Sequence, residues 1–180
     1  MFLYSFYTYI LFKRLISFKM QHVIIVGNAR VGKTSFIYRL TNKTFSESYC
    51  ATIGKDMHVI NPTLTLHDHS SMERYQDLCR LHYKTAHGAI VFFDSETVNS
   101  VNIWVGRIRR ENKKIPIIKV LNKCDMDTVS DICDLRISCK ENKGVTDVLP
   151  LLIPRMEIPI KTSPLQTLVE YLQQSYCSIS

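Results

Sequence analysis

The stretch GNARVGKT, residues 27–34, constrains this chain more than any other. It follows HVIIVG (22–27), an apolar run suited to a buried strand, and leads into TSFIYRL (34–40), which begins a helix. The eight residues match G-x-x-x-x-G-K-[ST]. Small residues let the loop from Gly27 through Asn28, Ala29, Arg30, Val31 and Gly32 turn its backbone N–H groups inward, and a helix N-terminus adds positive potential. Such a loop predicts a phosphate cradle: Lys33 reaches the β and γ phosphates, the Thr34 hydroxyl ligates Mg²⁺, and Ser35 lies in the first helical turn.

The rest of the chain alternates strand and helix signals. DMHVI and TLTLH flank Asn61-Pro62, which predicts a tight hairpin. AIVFFD (89–94) and IPIIKVL (115–121) are continuous apolar runs, as strands covered on both faces require. Between them Val101, Trp104, Val105 and Ile108 mark one buried face of a helix. This order predicts an α/β fold with a mostly parallel sheet and helices on both faces. Ligands of such sheets bind at the carboxyl ends of the strands.

A chain of 180 residues is the size of one domain. We expect an N-terminal extension (1–20), a main domain (21–176) and a short tail (177–180). Residues 1–20 contain an apolar stretch too short to span a bilayer, with positive charges after it instead of before it. An over-extended start, with Met20 as initiator, and a membrane-touching extension both fit. The net charge is +7, and three of those charges (Lys13, Arg14 and Lys19) lie in that extension. The remainder is too mild to argue for nucleic acid and suits phosphate ligands or anionic lipid equally. Six cysteines without a C-x-x-C pair imply free thiols in a reducing compartment. A monomer is expected.

LNKCD (121–125) follows the last long strand and so shares a rim with the phosphate loop. Asp125 can accept both the N1–H and the 2-amino hydrogens of guanine, whereas adenine would present a lone pair to it. Asn122 can bond the base edge and the Lys123 stem can lie along the ring. SCK, Ser138 to Lys140, then offers the Cys139 N–H to the guanine O6.

Together these residues resemble the Ras superfamily of small GTPases, a P-loop NTPase fold with one antiparallel edge strand, and the Rab branch in particular. TIGKDM (52–57) is similar to a Rab switch I, ERYQ (73–76) to the start of the switch II helix, and HYKTAHGAIVFFD (82–94) to a Rab stretch; SVNIWVGRI (100–108) continues the match. The resemblance implies GTP and GDP as ligands, Phe45 against the guanine, Thr52 on Mg²⁺ in the GTP state, and Asp68 holding Mg²⁺ through water. It also implies effector proteins, an exchange factor, a GTPase-activating protein, and work in vesicle trafficking on the cytoplasmic face of endomembranes.

The chain departs from that pattern in HDHSSMERY (67–75). Ser71 stands where the family has Gly, and Met72 replaces the Gln that orients the attacking water. A thioether is a weak acceptor and no donor, so slow intrinsic hydrolysis is expected, with His69 as a substitute for positioning the water. A nucleotide-bound scaffold without useful turnover is the alternative. The helix between Asp125 and Ser138 is mostly missing, and Pro150 and Pro154 interrupt the expected final helix. A better helix is predicted over 164–176, from Ser163 as cap, packing on the sheet. CSIS (177–180) fits C-a-a-X with Cys177 as a prenylation site, or is a frayed tail with a free cysteine.

Overall fold

The computed structural model describes residues 20–41, 45–46, 48, 50–71, 76–126 and 131–156, except for the side chains of 76–78. Those residues lie within one compact unit, Met20–Glu157. Its strands are β1 (Gln21–Gly27), β2 (Lys55–Asn61), β3 (Leu64–His69), β4 (Gly88–Phe93), β5 (Ile117–Leu121) and β6 (Leu135–Arg136). Its α-helices are α1 (Lys33–Leu40), α2 (Gln76–Thr85), α3 (Val101–Glu111) and α4 (Val148–Leu152).

The six strands form one sheet in the order β2-β3-β1-β4-β5-β6. Every neighbouring pair is parallel except β2 with β3, which are joined through Pro62 and Thr63 in an antiparallel hairpin. The expected fold class and the antiparallel edge strand are therefore both present. Alternation along β1 sets the layers. Val23 and Ile25 join Phe36 of α1 and Val148, Leu149 and Leu152 of α4 on one face. Ile24 and Val26 join Cys79 and Tyr83 of α2 and Val101, Trp104 and Ile108 of α3 on the other. Each fully buried Ile or Leu contributes about 1.5–3 kcal/mol relative to exposure. With both faces of β1 and β4 covered, the sheet is a stiff platform for the loops at its carboxyl edge.

The two prolines interrupt the final helix less completely than their residue type suggests. A 3₁₀ turn (Val145–Asp147), α4 and a second 3₁₀ turn (Ile153–Arg155) follow one another directly after Gly144. Pro150 falls in the first turn of α4, where its missing N–H has no intrahelical acceptor to lose. Pro154 similarly lies in the first turn of the next piece. The segment keeps a helical path and buries Val145, Val148, Leu149, Leu152 and Met156. The helix predicted over 164–176, the extension 1–19 and Cys177 lie outside the described residues.

Candidate nucleotide site

The loop after β1 has the backbone that its glycines predict. Gly27 has φ +145°, and a Cβ there would lie 2.1 Å from the Phe92 carbonyl oxygen, so β1 and β4 close on each other at this point. Arg30 and Gly32 take left-handed φ values of 64° and 93°, turning the loop back over the start of α1. Lys33 Nζ donates to the Gly27 and Asn28 carbonyls at 3.0 and 2.7 Å. Burial lowers its pKa to about 8, although the Asp68 carboxylate works the other way. Trp104 Nε1 donates to Asn28 Oδ1 at 2.8 Å, tying the loop to α3.

Three oxygens converge beside Lys33. Thr34 Oγ1 donates to Asp68 Oδ2 at 2.5 Å and lies 3.3 Å from Thr52 Oγ1, and Thr52 Oγ1 is 3.4 Å from the same carboxylate oxygen. Asp68 Oδ1 is buried and has no hydrogen-bond partner among the described residues. Burial raises the Asp68 pKa, outweighing the Thr34 hydrogen bond and the Lys33 charge. Two hydroxyls and a carboxylate with a spare acceptor make a hard oxygen set, which fits Mg²⁺.

The second half of the site is a junction of three loops closed by one side chain. Asn122 is 2% exposed. Its Nδ2 donates to the Val31 carbonyl at 2.8 Å, and its Oδ1 accepts the Cys139 N–H at 3.0 Å. A Cβ on Gly32 would come within 2.1 Å of that Nδ2. Sequence reading assigned Asn122 to the base edge and the Cys139 N–H to the guanine O6. Here the two groups bond each other, because a buried amide and a buried N–H each need a partner. Nearby, Ser138 Oγ donates to Asp125 Oδ1 at 2.6 Å, fixing one carboxylate oxygen. Lys123, with φ 63°, reaches Asp94 Oδ2 at 2.6 Å. Burial works to raise the Asp94 carboxyl, but bonds from Lys123 and Thr97 outweigh it and hold it below its ordinary value.

Sequence reading did not find Arg39. Its guanidinium donates to the Cys139 and Lys140 carbonyls at 2.7 and 2.8 Å and lies 5.3 Å from the centroid of the Phe45 ring. One side chain of α1 therefore holds both the loop after β6 and the aromatic expected against the base. No motif marks it, since only the packing of α1 brings it there. Gly32, Lys33, Thr34, Phe45, Thr52, Asn122 and Asp125 line a single cleft of about 830 Å³, together with Arg30, Ser35, Lys123, Cys139 and Lys140. That size suits a nucleotide-sized ligand.

A family model described as the Ras of Complex, Roc, domain of DAPkinase matches residues 22–125. Ras-related protein RabC of Dictyostelium discoideum is 30% identical over 171 residues, spanning 80% of this chain and 87% of RabC. The chain belongs to the Ras superfamily as a Rab-like small GTPase. Human Rab-3B is 33% identical over 119 residues, or 60% of this chain and 54% of Rab-3B. Rab-3 of Caenorhabditis elegans is 32% identical over 120 residues, with 61% and 55% covered. The chain thus spans about half the length of these Rab-3 relatives.

The segment where this Rab-like GTPase departs from the family pattern is partly described. Ser70 and Ser71 line the cleft, and Met72 lies outside the described residues. His69 lines the cleft beside Ser70 and Ser71, with its ring engaged elsewhere. Its Nδ1 is 2.9 Å from Cys79 Sγ, and its ring packs on His67, His82 and Tyr83, on the α2 side of the sheet. Asp68, one residue earlier, points the opposite way as strand alternation requires. Burial pushes the His69 pKa down to about 3, so the ring is neutral at physiological pH. His67 follows the same pattern, lowered to about 4 first by burial and then by Lys55 and its histidine neighbours.

Proposed function

We propose that this Rab-like GTPase binds GTP and GDP with Mg²⁺, hydrolyses GTP slowly when alone, and serves as a nucleotide-dependent switch in vesicle trafficking. The observation that carries the reading is the convergence of Thr34, Thr52 and Asp68 beside Lys33, where Lys33, Thr34 and Thr52 line one cleft with Asp125. Lys33 and the inward N–H groups of the loop would take the β and γ phosphates. Thr34, Thr52 and Asp68 would hold Mg²⁺, which supplies charge neutralisation at those phosphates. Asp125 would read guanine, with Phe45 against the ring.

Phosphoryl transfer depends on positioning and charge stabilisation, so a missing water-orienting group slows it. The Met72 side chain has no N–H to donate, and Ser71 restricts the backbone freedom that a glycine would give. The contacts of the His69 ring with Cys79, His67, His82 and Tyr83 support slow self-hydrolysis. Effector proteins, an exchange factor and a GTPase-activating protein are the expected partners. A prenyl group on Cys177 would place the chain peripherally on the cytoplasmic face of endomembranes.

Single-turnover GTP hydrolysis of the native chain, of Met72→Gln and of Met72→Gln with Ser71→Gly tests the reading. The native rate should be low and should rise with the restored residues, while a native rate already equal to that of an intact Rab overturns it. Asp125→Asn should shift preference from guanine toward xanthine nucleotides, because the amide donates to the 2-oxo group. Equal GTP and ATP affinity in the native chain would remove the guanine assignment.

A further inference from the structure

The positive charge of this chain is concentrated where α2 and α3 end. Residues 76–85 and 101–114 contain seven Lys or Arg and two acids, Asp77 and Glu111. Asp77 lies in the first turn of α2. Glu111 Oε1 is held by Arg80 at 2.8 Å, and its Oε2 is 3.7 Å from Lys84 Nζ, which joins the two helix ends and neutralises that carboxylate. Arg109 is turned inward onto the Lys113 and Ile115 carbonyls. Arg110, Lys113 and Lys114 are exposed and have no acidic partner among the described residues. A helix C-terminus favours a cation or two in its last turn. This cluster exceeds that need.

The same faces expose apolar side chains. Leu81, 66% exposed, is three residues before Lys84 on α2. Ile103, 56% exposed, shares its face of α3 with Arg107 and Arg110 at i+4 and i+7. Exposed aliphatic groups among cations fit an interface with an apolar layer beneath an anionic one.

Position in the fold points the same way. Helices that link parallel strands run antiparallel to them, so α2 and α3 end where β4 and β5 begin. The nucleotide cleft lies at the opposite edge. Met156 packs against Gly88, the first residue of β4, with its Sδ 3.0 Å from where a Cβ would stand. The last described residue, Met156, therefore lies at the basic end of the domain.

We propose that the ends of α2 and α3, from Arg80 and Lys84 to Arg110, Lys113 and Lys114, form a docking face for an anionic membrane surface. One lipid chain anchors a protein only marginally without a second signal, and the sequence before Cys177 carries no basic cluster. The folded domain supplies that second signal on the end where Met156, the last described residue, lies. Docking there turns the nucleotide cleft away from the bilayer.

The test uses the full chain without lipid, so its failure overturns the face and leaves the prenylation reading of Cys177 untouched. Co-sedimentation is measured with vesicles of phosphatidylcholine alone and of equimolar phosphatidylcholine and phosphatidylserine. The native chain should bind only the anionic vesicles and should dissociate as salt is raised. Neutralising Arg110→Gln, Lys113→Gln and Lys114→Gln together should weaken binding on the order of 100-fold, roughly fivefold per cation. Retained GDP binding by the triple variant shows that it is folded. Arg136→Gln with Lys143→Gln, two cations near the cleft end, should leave vesicle binding unchanged. No binding of the native chain, equal binding by the triple variant, or an equal loss in the pair near the cleft overturns the proposal. Displacement from the vesicles by duplex DNA at matched phosphate concentration reassigns the face to nucleic acid and overturns it as well.

Discussion

The two halves of the nucleotide cleft are built on opposite principles. On the base side every strut is closed: Asn122 satisfies Val31 and Cys139, Ser138 satisfies Asp125, and Lys123 satisfies Asp94. On the phosphate side Asp68 Oδ1 of β3 is buried and without a hydrogen-bond partner among the described residues, as are Thr65 Oγ1, His67 Nδ1 and His69 Nε2 elsewhere along the same strand. An unsatisfied buried polar atom is destabilising by about 1–3 kcal/mol. The struts of the closed half brace one another through side-chain bonds already made. The open half leaves acceptors in reserve, so its lowest-energy arrangement depends on what else is present. A switch needs both kinds of wall, and this domain segregates them by strand.

The sharpest way to break the comparison is Asn122→Ala. It removes both bonds of the junction and leaves Val31 O and the Cys139 N–H buried without partners, an expected loss of about 3–5 kcal/mol. Thermal unfolding should show a lower midpoint, and GDP affinity should fall by two orders of magnitude or more. An Asn122→Ala variant with native stability would mean that the three loops are held by something else.

A smaller effect should appear at alkaline pH. Burial raises the Cys139 thiol to about 12, with the hydrogen bond to Asn122 opposing. A folded pKa above the unfolded value of about 9 gives stability that is complete below pH 9 and is lost as pH rises toward 12. The loss should be on the order of 2 kcal/mol by pH 11, and Cys139→Ala should flatten that part of the pH–stability curve. An unchanged slope in the variant would place the thiol in contact with water.

The smallest effect should come from the open half. His69→Leu removes an orphaned buried nitrogen at the loss of a weak bond to Cys79, a poor donor. Stability should change by less than about 1 kcal/mol, in the favourable direction. A loss as large as that for Asn122→Ala would show that the histidine bed beneath α2 is as closed as the base side.

The contrast also explains how much could be read from sequence. The phosphate loop, the hairpin through Pro62 and the β/α order were legible because local backbone needs and apolar periodicity fix them. The bracing of two loops by Asn122 was not legible, since a single side chain offers the same amide to a base or to two loops, and only packing shows the second use. His67 and His69 lie two residues apart, so strand alternation put them on one face. That His22, His82 and Cys79 line the same space follows from which strand and helix become neighbours. Charges at 107–114 were visible as a count, but their common direction was not. Pro150 was taken as a break because its place within a helical turn depends on where that turn begins.

One bond described above has a spectroscopic consequence. Trp104 is the sole indole in the chain, and its ring nitrogen is bonded directly to Asn28 of the phosphate loop at 2.8 Å. The Arg107 guanidinium lies 4.7 Å from its centroid, so the ring is held in a fixed electrostatic setting. Any rearrangement of that loop must lengthen, break or reorient this bond and alter the dipole beside the fluorophore. Ultraviolet emission from the unlabelled domain is thus an intrinsic gauge of loop occupancy, read from a residue that need never touch the ligand.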